Sequence, residues 1–220
     1  MPVRTVERVA TPRGELALRR VDGDYEIVSN GTFLMDTRDG RSERLLVDAA
    51  LARTAAARPR VLIGGLGVGF SLAAAVACAR VAEITVVEVE PTVIAWQRGP
   101  LAAYSGGAAD DPRVTLECAD LVSWIARPGP AYDAVCLDID NGPDWTVVEE
   151  NAGLYADAGL DALHARLAPG GALAVWSAAA APAFEARLRA RFTEVEACEV
   201  PVARGEPDRV YLAVRRPPPG

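Results

Sequence analysis

Apolar and polar positions alternate with a period of two through most of the first forty residues. Val3–Val9, Glu15–Arg20 and Tyr25–Val28 are β-prone, with turns at Pro12-Arg13-Gly14 and Asp22-Gly23-Asp24. Asn30-Gly31, between Tyr25–Ser29 and Thr32–Met35, is a hairpin signal because both residues accept positive φ. A small antiparallel flap of three or four strands is therefore expected over 1–40. The period then changes to helical over Arg41–Ala57, where Leu45, Leu46, Ala49 and Ala50 share a face. Ser42 is the expected N-cap and Pro59 the stop.

From Arg60 onward short apolar strands alternate with helical stretches. Strands are expected at Val61–Ile63, Glu83–Val87, Val114–Cys118, Ala134–Leu137 and Ala172–Trp176. Helices are expected at Ser71–Arg80, Pro91–Ala103, Leu121–Ala126, Leu160–Leu167 and Pro182–Arg191. Val195–Val200 and Val210–Val214 have no helix between them and should pair antiparallel at one edge. Such alternation predicts an α/β domain over 41–216, with a doubly wound, mostly parallel, seven-stranded sheet covered on both faces. The proline-rich end, 217–220, is expected to be a loose tail.

Composition narrows the chemistry. The 220 residues carry a formal charge of -7, and all 23 basic residues are arginine. Without lysine there is no Schiff base and no lysine-held phosphate. An acidic chain with no basic run offers no footprint for nucleic acid or an anionic membrane. A single histidine, His164, leaves no multi-histidine metal site, and it is expected on the surface. Cys78, Cys118, Cys136 and Cys198 form no CxxC pair and read as structural thiols, so no metal is expected. Trp124 and Trp176 read as core. With no hydrophobic leader and no apolar stretch of spanning length, a cytoplasmic protein is expected.

The chemistry concentrates on a glycine loop, Ile63-Gly64-Gly65-Leu66-Gly67-Val68-Gly69-Phe70-Ser71, between a strand and a helix. A P-loop would need lysine where Phe70 stands. A G-x-G-x-x-G dinucleotide fingerprint starting at Gly65 would also need glycine at Phe70. The tighter Gly65, Gly67, Gly69 spacing suits a loop holding the amino-acid part of S-adenosylmethionine. The second strand ends in Val86-Val87-Glu88-Val89-Glu90-Pro91, and a carboxylate there can accept both ribose hydroxyls of a nucleoside. Glu88, closing the apolar run, is the ribose candidate, and Glu90 reads as a charge at a helix N-terminus. After the third strand, Asp120 can take an adenine amino group while the adjoining backbone reads a ring nitrogen. Val89 and Leu121, which follow the two acids, complete the expected donor-binding set. Asp138 closes the fourth strand on the same edge.

Gly64-Gly65-x-Gly67-x-Gly69, Val-Val-Glu88-Val-Glu-Pro, Asp111-Pro-Arg-Val, Ala-Asp120, Tyr132-Asp-Ala-Val-Cys-Leu-Asp138, Gly-Leu154-Tyr155 and Leu-Ala-Pro-Gly-Gly171 occur in that order. In that order they resemble the spermidine synthase family over roughly residues 60–176. The resemblance implies a Rossmann-like, class I methyltransferase-like sheet and a homodimer. It also implies that Glu88 holds ribose, Asp120 holds adenine, and Asp138 faces the transferred group and the acceptor nitrogen.

Departures shape the expected reaction. The family's glycine loop carries an aspartate that holds the free amine of decarboxylated S-adenosylmethionine, and Gly67 stands in that place. The vacated space beside the loop's N–H groups would favour an intact methionine carboxylate. The family's second aspartate after strand four is Asn141, and the polyamine-recognition segment is replaced by Asp36-Thr-Arg-Asp-Gly-Arg-Ser-Glu-Arg44. Asp138 is the expected catalytic residue, and Asp140, Asn141, Trp145 and Tyr155 are expected around a small-molecule acceptor. The acidic loop suits an amine, whereas Arg38, Arg41 and Arg44 leave an acidic acceptor open. The first expectation is methyl transfer from S-adenosylmethionine. Aminopropyl or 3-amino-3-carboxypropyl transfer is the alternative, with the decarboxylated donor for the former. A nucleoside-binding partner protein without catalysis is the third reading.

Overall fold

The computed structural model describes residues 3–146, 149–203 and 205–217. Four antiparallel strands open the chain: β1 (Arg4–Thr11), β2 (Gly14–Val21), β3 (Asp24–Ser29) and β4 (Thr32–Asp36), paired in sequence order. Leu16, Leu18 and Ile27 alternate onto one face of this flap and pack into the main core. α1 (Arg41–Arg53) leads into β5 (Arg60–Gly64), α2 (Phe70–Ala77), β6 (Glu83–Glu88), α3 (Pro91–Gln97), β7 (Val114–Cys118), α4 (Leu121–Ala126) and β8 (Tyr132–Leu137). α5 (Ala152–Tyr155), α6 (Asp157–Arg166), β9 (Leu167–Ser177), α7 (Pro182–Arg191), β10 (Thr193–Val200) and β11 (Asp208–Val214) follow.

The second sheet has seven strands in the order β10-β11-β9-β8-β5-β6-β7. Only β11 runs against its neighbours, wedged between β9 and β10. Helices cover both faces, so its strands are near-continuous apolar runs. Val61, Ile63, Ala134 and Cys136 face the α1 and α2 side, while Leu62, Val135, Leu137 and Leu173 face the α4, α6 and α7 side. The expected doubly wound α/β fold is observed. Chain direction reverses around β5, and the crevice at the carboxyl ends of β5, β6 and β8 is where such a sheet binds ligands.

Several local expectations are corrected. Gly40, not Ser42, is the N-cap of α1, and Ser42 Oγ instead donates to Asp208 Oδ2 at 2.5 Å. α1 ends at Arg53, before the expected Ala57, and α2 ends at Ala77. α3 stops at Gln97, because Gly99-Pro100 breaks the helical run expected to Ala103. β9 begins at Leu167, taking in a Pro169-Gly170-Gly171 stretch expected as a turn; its pairing with β8 shifts register there. His164 is half-buried against Phe192, ring centroids 5.3 Å apart, where a surface position was expected. All four cysteines are free, and Cys118 is exposed. Of the expected tail, 218–220 lies outside the described residues. No helix among the described residues is long and apolar enough to cross a membrane. No three His, Cys, Asp or Glu side chains among them are placed to hold one metal ion together.

Candidate active site

The glycine loop turns sharply because the end of β8 runs beside it. Asp138 N–H donates to Gly64 O at 2.9 Å, and a Cβ on Gly65 (φ 88°) would lie 2.1 Å from the Asp138 carbonyl oxygen. Only glycine fits both the left-handed backbone and that contact. Glu88 fixes the other side of the loop. Its Oε2 accepts from Leu66 N–H (2.9 Å), and its Oε1 accepts from Glu90 N–H (2.8 Å). Burial pushes the Glu88 carboxyl up, and the backbone donors partly offset this.

These strand ends and the flap enclose a cavity of about 580 Å³. Gly65, Gly67, Glu88, Val89, Asp120 and Leu121, all expected to hold the donor, line it. Gly69 does not: it is the left-handed N-cap of α2, where a Cβ would collide with Gln97 and Ser105 behind the loop. Asp120 lines the cavity while capping α4, accepting from Ser123 N–H at 2.8 Å. Asp138, Asp140, Asn141 and Trp145 also line it, with Trp145 64% exposed at the mouth. Tyr155 is buried behind Asp140, its hydroxyl donating to Asp140 Oδ2 at 3.5 Å, so it positions that acid and does not line the cavity. Burial and the nearby acids push the Tyr155 phenol well above its usual range, so it stays a donor.

Two further acids meet Asp138. Glu43 lines the cavity from α1, and Asp208 stands at the start of β11, held by Ser42 and by Trp176 Nε1 at 3.4 Å. Burial, then the Asp208 charge, raises the Asp138 carboxyl to about 7; burial, then the Asp138 charge, raises Glu43 to about 8. These residues escaped the sequence reading, although Glu43 carried a signal. It stands at i−3, i−4 and i−7 from buried Leu46, Val47 and Ala50, on the inward face of α1. Trp176, expected in the core, lines the cavity. Glu90 stands at the N-cap of α3, as a charge at a helix N-terminus should, but its side chain makes no capping hydrogen bond and the residue also lines the cavity.

The space beside Gly67 is occupied. Met35 of β4 reaches in, so that a Cβ on Gly67 (φ 48°) would lie 2.1 Å from Met35 Sδ. Val68 N–H donates to that sulfur at 3.3 Å. The expectation of open space for a methionine carboxylate is therefore corrected: a thioether fills it and engages a loop donor. The arginines that left an acidic acceptor open are also committed elsewhere. Arg38 pairs with Glu26 and Asp36, Arg41 with Asp39, and Arg44 stacks on Phe70 at 4.4 Å. Among the described residues the cavity is lined by eight carboxylates, with Arg13 the one guanidinium facing them.

No family model matches the chain. Over 135 residues it is 33% identical to polyamine aminopropyltransferase 2 of Pseudomonas aeruginosa, a stretch covering 60% of this chain and 36% of that protein. Over 157 residues it is 32% identical to polyamine aminopropyltransferase 1 of Streptomyces coelicolor, covering 70% and 28%. The matched stretch thus spans about a third of these relatives' length. The crystal structure of spermidine synthase from Thermotoga maritima superposes with a TM-score of 0.78 at 16% identity, covering 96% of this chain and 72% of that one. Polyamine aminopropyltransferases are homologues of this chain, and its fold is that of spermidine synthase.

Proposed function

We propose that the chain transfers an aminopropyl group from decarboxylated S-adenosylmethionine to a nitrogen of a small cationic amine. The observation that carries this is the acidity of the cavity: of the eight carboxyl groups on its wall, burial and mutual repulsion raise Asp138 and Glu43 toward neutrality, and a cationic sulfonium donor and ammonium acceptor relieve that crowding. The adenosine end would be Glu88 and Asp120, and the reacting end Asp138. The acceptor nitrogen's lone pair attacks the carbon next to the sulfonium sulfur. The C–S bond breaks, its electrons return to sulfur, and 5′-methylthioadenosine leaves. The proton released from nitrogen passes to Asp138, whose carboxyl titrates near neutrality and so can hold it. Most of the acceleration comes from alignment of nitrogen, carbon and sulfur, because the sulfonium is already a good leaving group.

The named relatives support this reading over methyl transfer, which none of them represents. Met35 removes the local argument for an intact methionine tail. The test is titration calorimetry with S-adenosylmethionine and its decarboxylated form, followed by incubation with aliphatic diamines of graded length. Tighter binding of the decarboxylated donor and release of methylthioadenosine are expected. Release of S-adenosylhomocysteine would replace the reading by methyl transfer, and binding without turnover would replace it by a partner protein.

A further inference from the structure

Two side chains from outside the glycine loop hold one of its peptide units from opposite sides. The Gly67 carbonyl accepts from Gln97 Nε2 at 2.7 Å, and the Val68 N–H donates to Met35 Sδ at 3.3 Å. Both groups belong to the Gly67–Val68 peptide, which is trans, so the carbonyl points toward the end of α3 and the N–H toward β4 of the flap. Gln97 is 1% exposed, and its Oε1 has no hydrogen-bond partner among the described residues. Turning the amide over would set that oxygen against the Gly67 carbonyl, so a costly orphan acceptor is kept in order to hold this one carbonyl. On the other side, Met35 and Gly67 both line the cavity. The N–H groups of Gly65, Leu66 and Gly69 go to oxygens of Val87, Glu88 and Leu66. That of Val68 goes to sulfur, a weak acceptor.

We infer that Met35 is a specificity-determining residue that excludes an α-carboxylate from the donor's tail, and that Gln97 is a positioning residue acting through the Gly67–Val68 peptide. This rests on the donor reading proposed above. S-adenosylmethionine and its decarboxylated form differ by one carboxylate, on the carbon that bears the amine. A carboxylate takes a backbone N–H in a charge-assisted bond that a thioether cannot match. Gln97 turns the Val68 N–H toward the flap side of the loop, and the Met35 side chain stands on it; a Cβ on Gly67 would already lie 2.1 Å from its sulfur. An intact donor must therefore displace Met35, whereas the decarboxylated donor carries nothing that needs the space. Selection at this loop works by exclusion, since the run Gly64–Phe70 has no acid of its own to hold the amine. The carboxyl groups on the cavity wall disfavour a further carboxylate in parent and variant alike, so a change between the two reports on Met35.

The experiment is calorimetric titration of the whole chain with both donors and with 5′-methylthioadenosine, which carries neither the amine nor the carboxylate. The unsubstituted protein should bind the decarboxylated donor about tenfold or more tighter than the intact one. In Met35→Ala that preference should fall to about threefold or less, because the intact donor gains the freed N–H. A merely structural loosening would weaken all three ligands alike. Should Met35→Ala fail to fold, as circular dichroism would show, Met35→Val keeps a strand-forming side chain, withdraws the sulfur and should lower the preference in the same direction. Gln97→Met keeps the bulk, removes the amide donor and should lower the preference by about threefold with Met35 in place. A preference kept in the Met35 variants would overturn the role of Met35, and one unmoved in Gln97→Met would overturn that of Gln97; both leave the donor reading standing. An unsubstituted protein that binds neither donor, or the intact one more tightly, would overturn the inference and the donor reading together.

Discussion

Gly67→Asp restores the aspartate found at this place in the resembling family, and the structure says what it would meet. Gly67 is left-handed at φ 48°, which costs an aspartate about 1 kcal/mol. Its Cβ would also sit 2.1 Å from Met35 Sδ and 3.1 Å from Met35 Cε. Displacing the thioether costs about 1–3 kcal/mol in overpacking and removes the acceptor of Val68 N–H. The sum is about 2–4 kcal/mol, or roughly 4–16 °C in Tm for a chain of this length. Met35→Ala removes the obstacle, so the double variant should be more stable than the two single losses add up to, by about 1–3 kcal/mol. Thermal and urea unfolding of the four proteins give that cycle. On the proposed reading the double variant also places a carboxylate beside the donor's amine. Calorimetry should then show a gain of roughly 10–100-fold for the decarboxylated donor, one charge-assisted hydrogen bond. If Gly67→Asp is as stable as the parent and shows no coupling to Met35→Ala, Met35 does not fill the space and this account of the loop is wrong.

Glu88→Ala should weaken methylthioadenosine binding by about 1–3 kcal/mol and lower Tm as well, because it leaves Leu66 and Glu90 N–H unpaired; unchanged affinity on calorimetry would remove the ribose assignment. Asp138→Asn should bind donor normally but lose about 10²–10⁴ in turnover, read as methylthioadenosine release; full activity would exclude it as the base. Asp208→Asn removes a like charge from beside Asp138, so the acid limb of kcat/KM, expected near pH 7, should move to lower pH; an unmoved limb would detach Asp208 from the site. Stability should itself fall as pH rises from about 4 to 8. Asp138 and Glu43 hold protons in the folded state that the unfolded chain has released, and burial shifts Glu88 in the same direction, so the unfolded state binds fewer protons in that window. Melts at pH 5 and 8 check this, and Glu43→Gln should flatten the slope; a Tm rising across the window would reverse the argument.

The strands of the main sheet and the acids at their ends, which line the cavity, were legible because both are written in local pattern. Buried parallel strands are apolar runs, and the acids that end them, Glu88 and Asp138, interrupt those runs visibly. Asp120 declared itself as the residue before a helix. Gly69 was misplaced for the same reason: its spacing matches that of Gly65 and Gly67, yet its left-handed φ serves the start of α2 and its missing Cβ makes room for Gln97. One-dimensional spacing does not distinguish a glycine that admits a ligand from one that admits a neighbouring side chain.

The acid cluster around Asp138 was hidden because it is assembled from segments far apart in sequence. Asp138 follows β8, Glu43 lies on α1 and Asp208 opens β11, and no local spacing announces that the three meet. The same distance explains why Gly67 misled. Its missing side chain implied empty space, but Met35, thirty-two positions earlier on β4, occupies it. That makes the flap part of the cavity wall. β4 supplies Met35 to the loop, and the β1–β2 turn supplies Thr11 and Arg13 to Glu90, so the flap meets the main sheet at two places around the proposed donor site. A substitution that loosens the flap should therefore raise the donor's Kd even when it touches neither Glu88 nor Asp120.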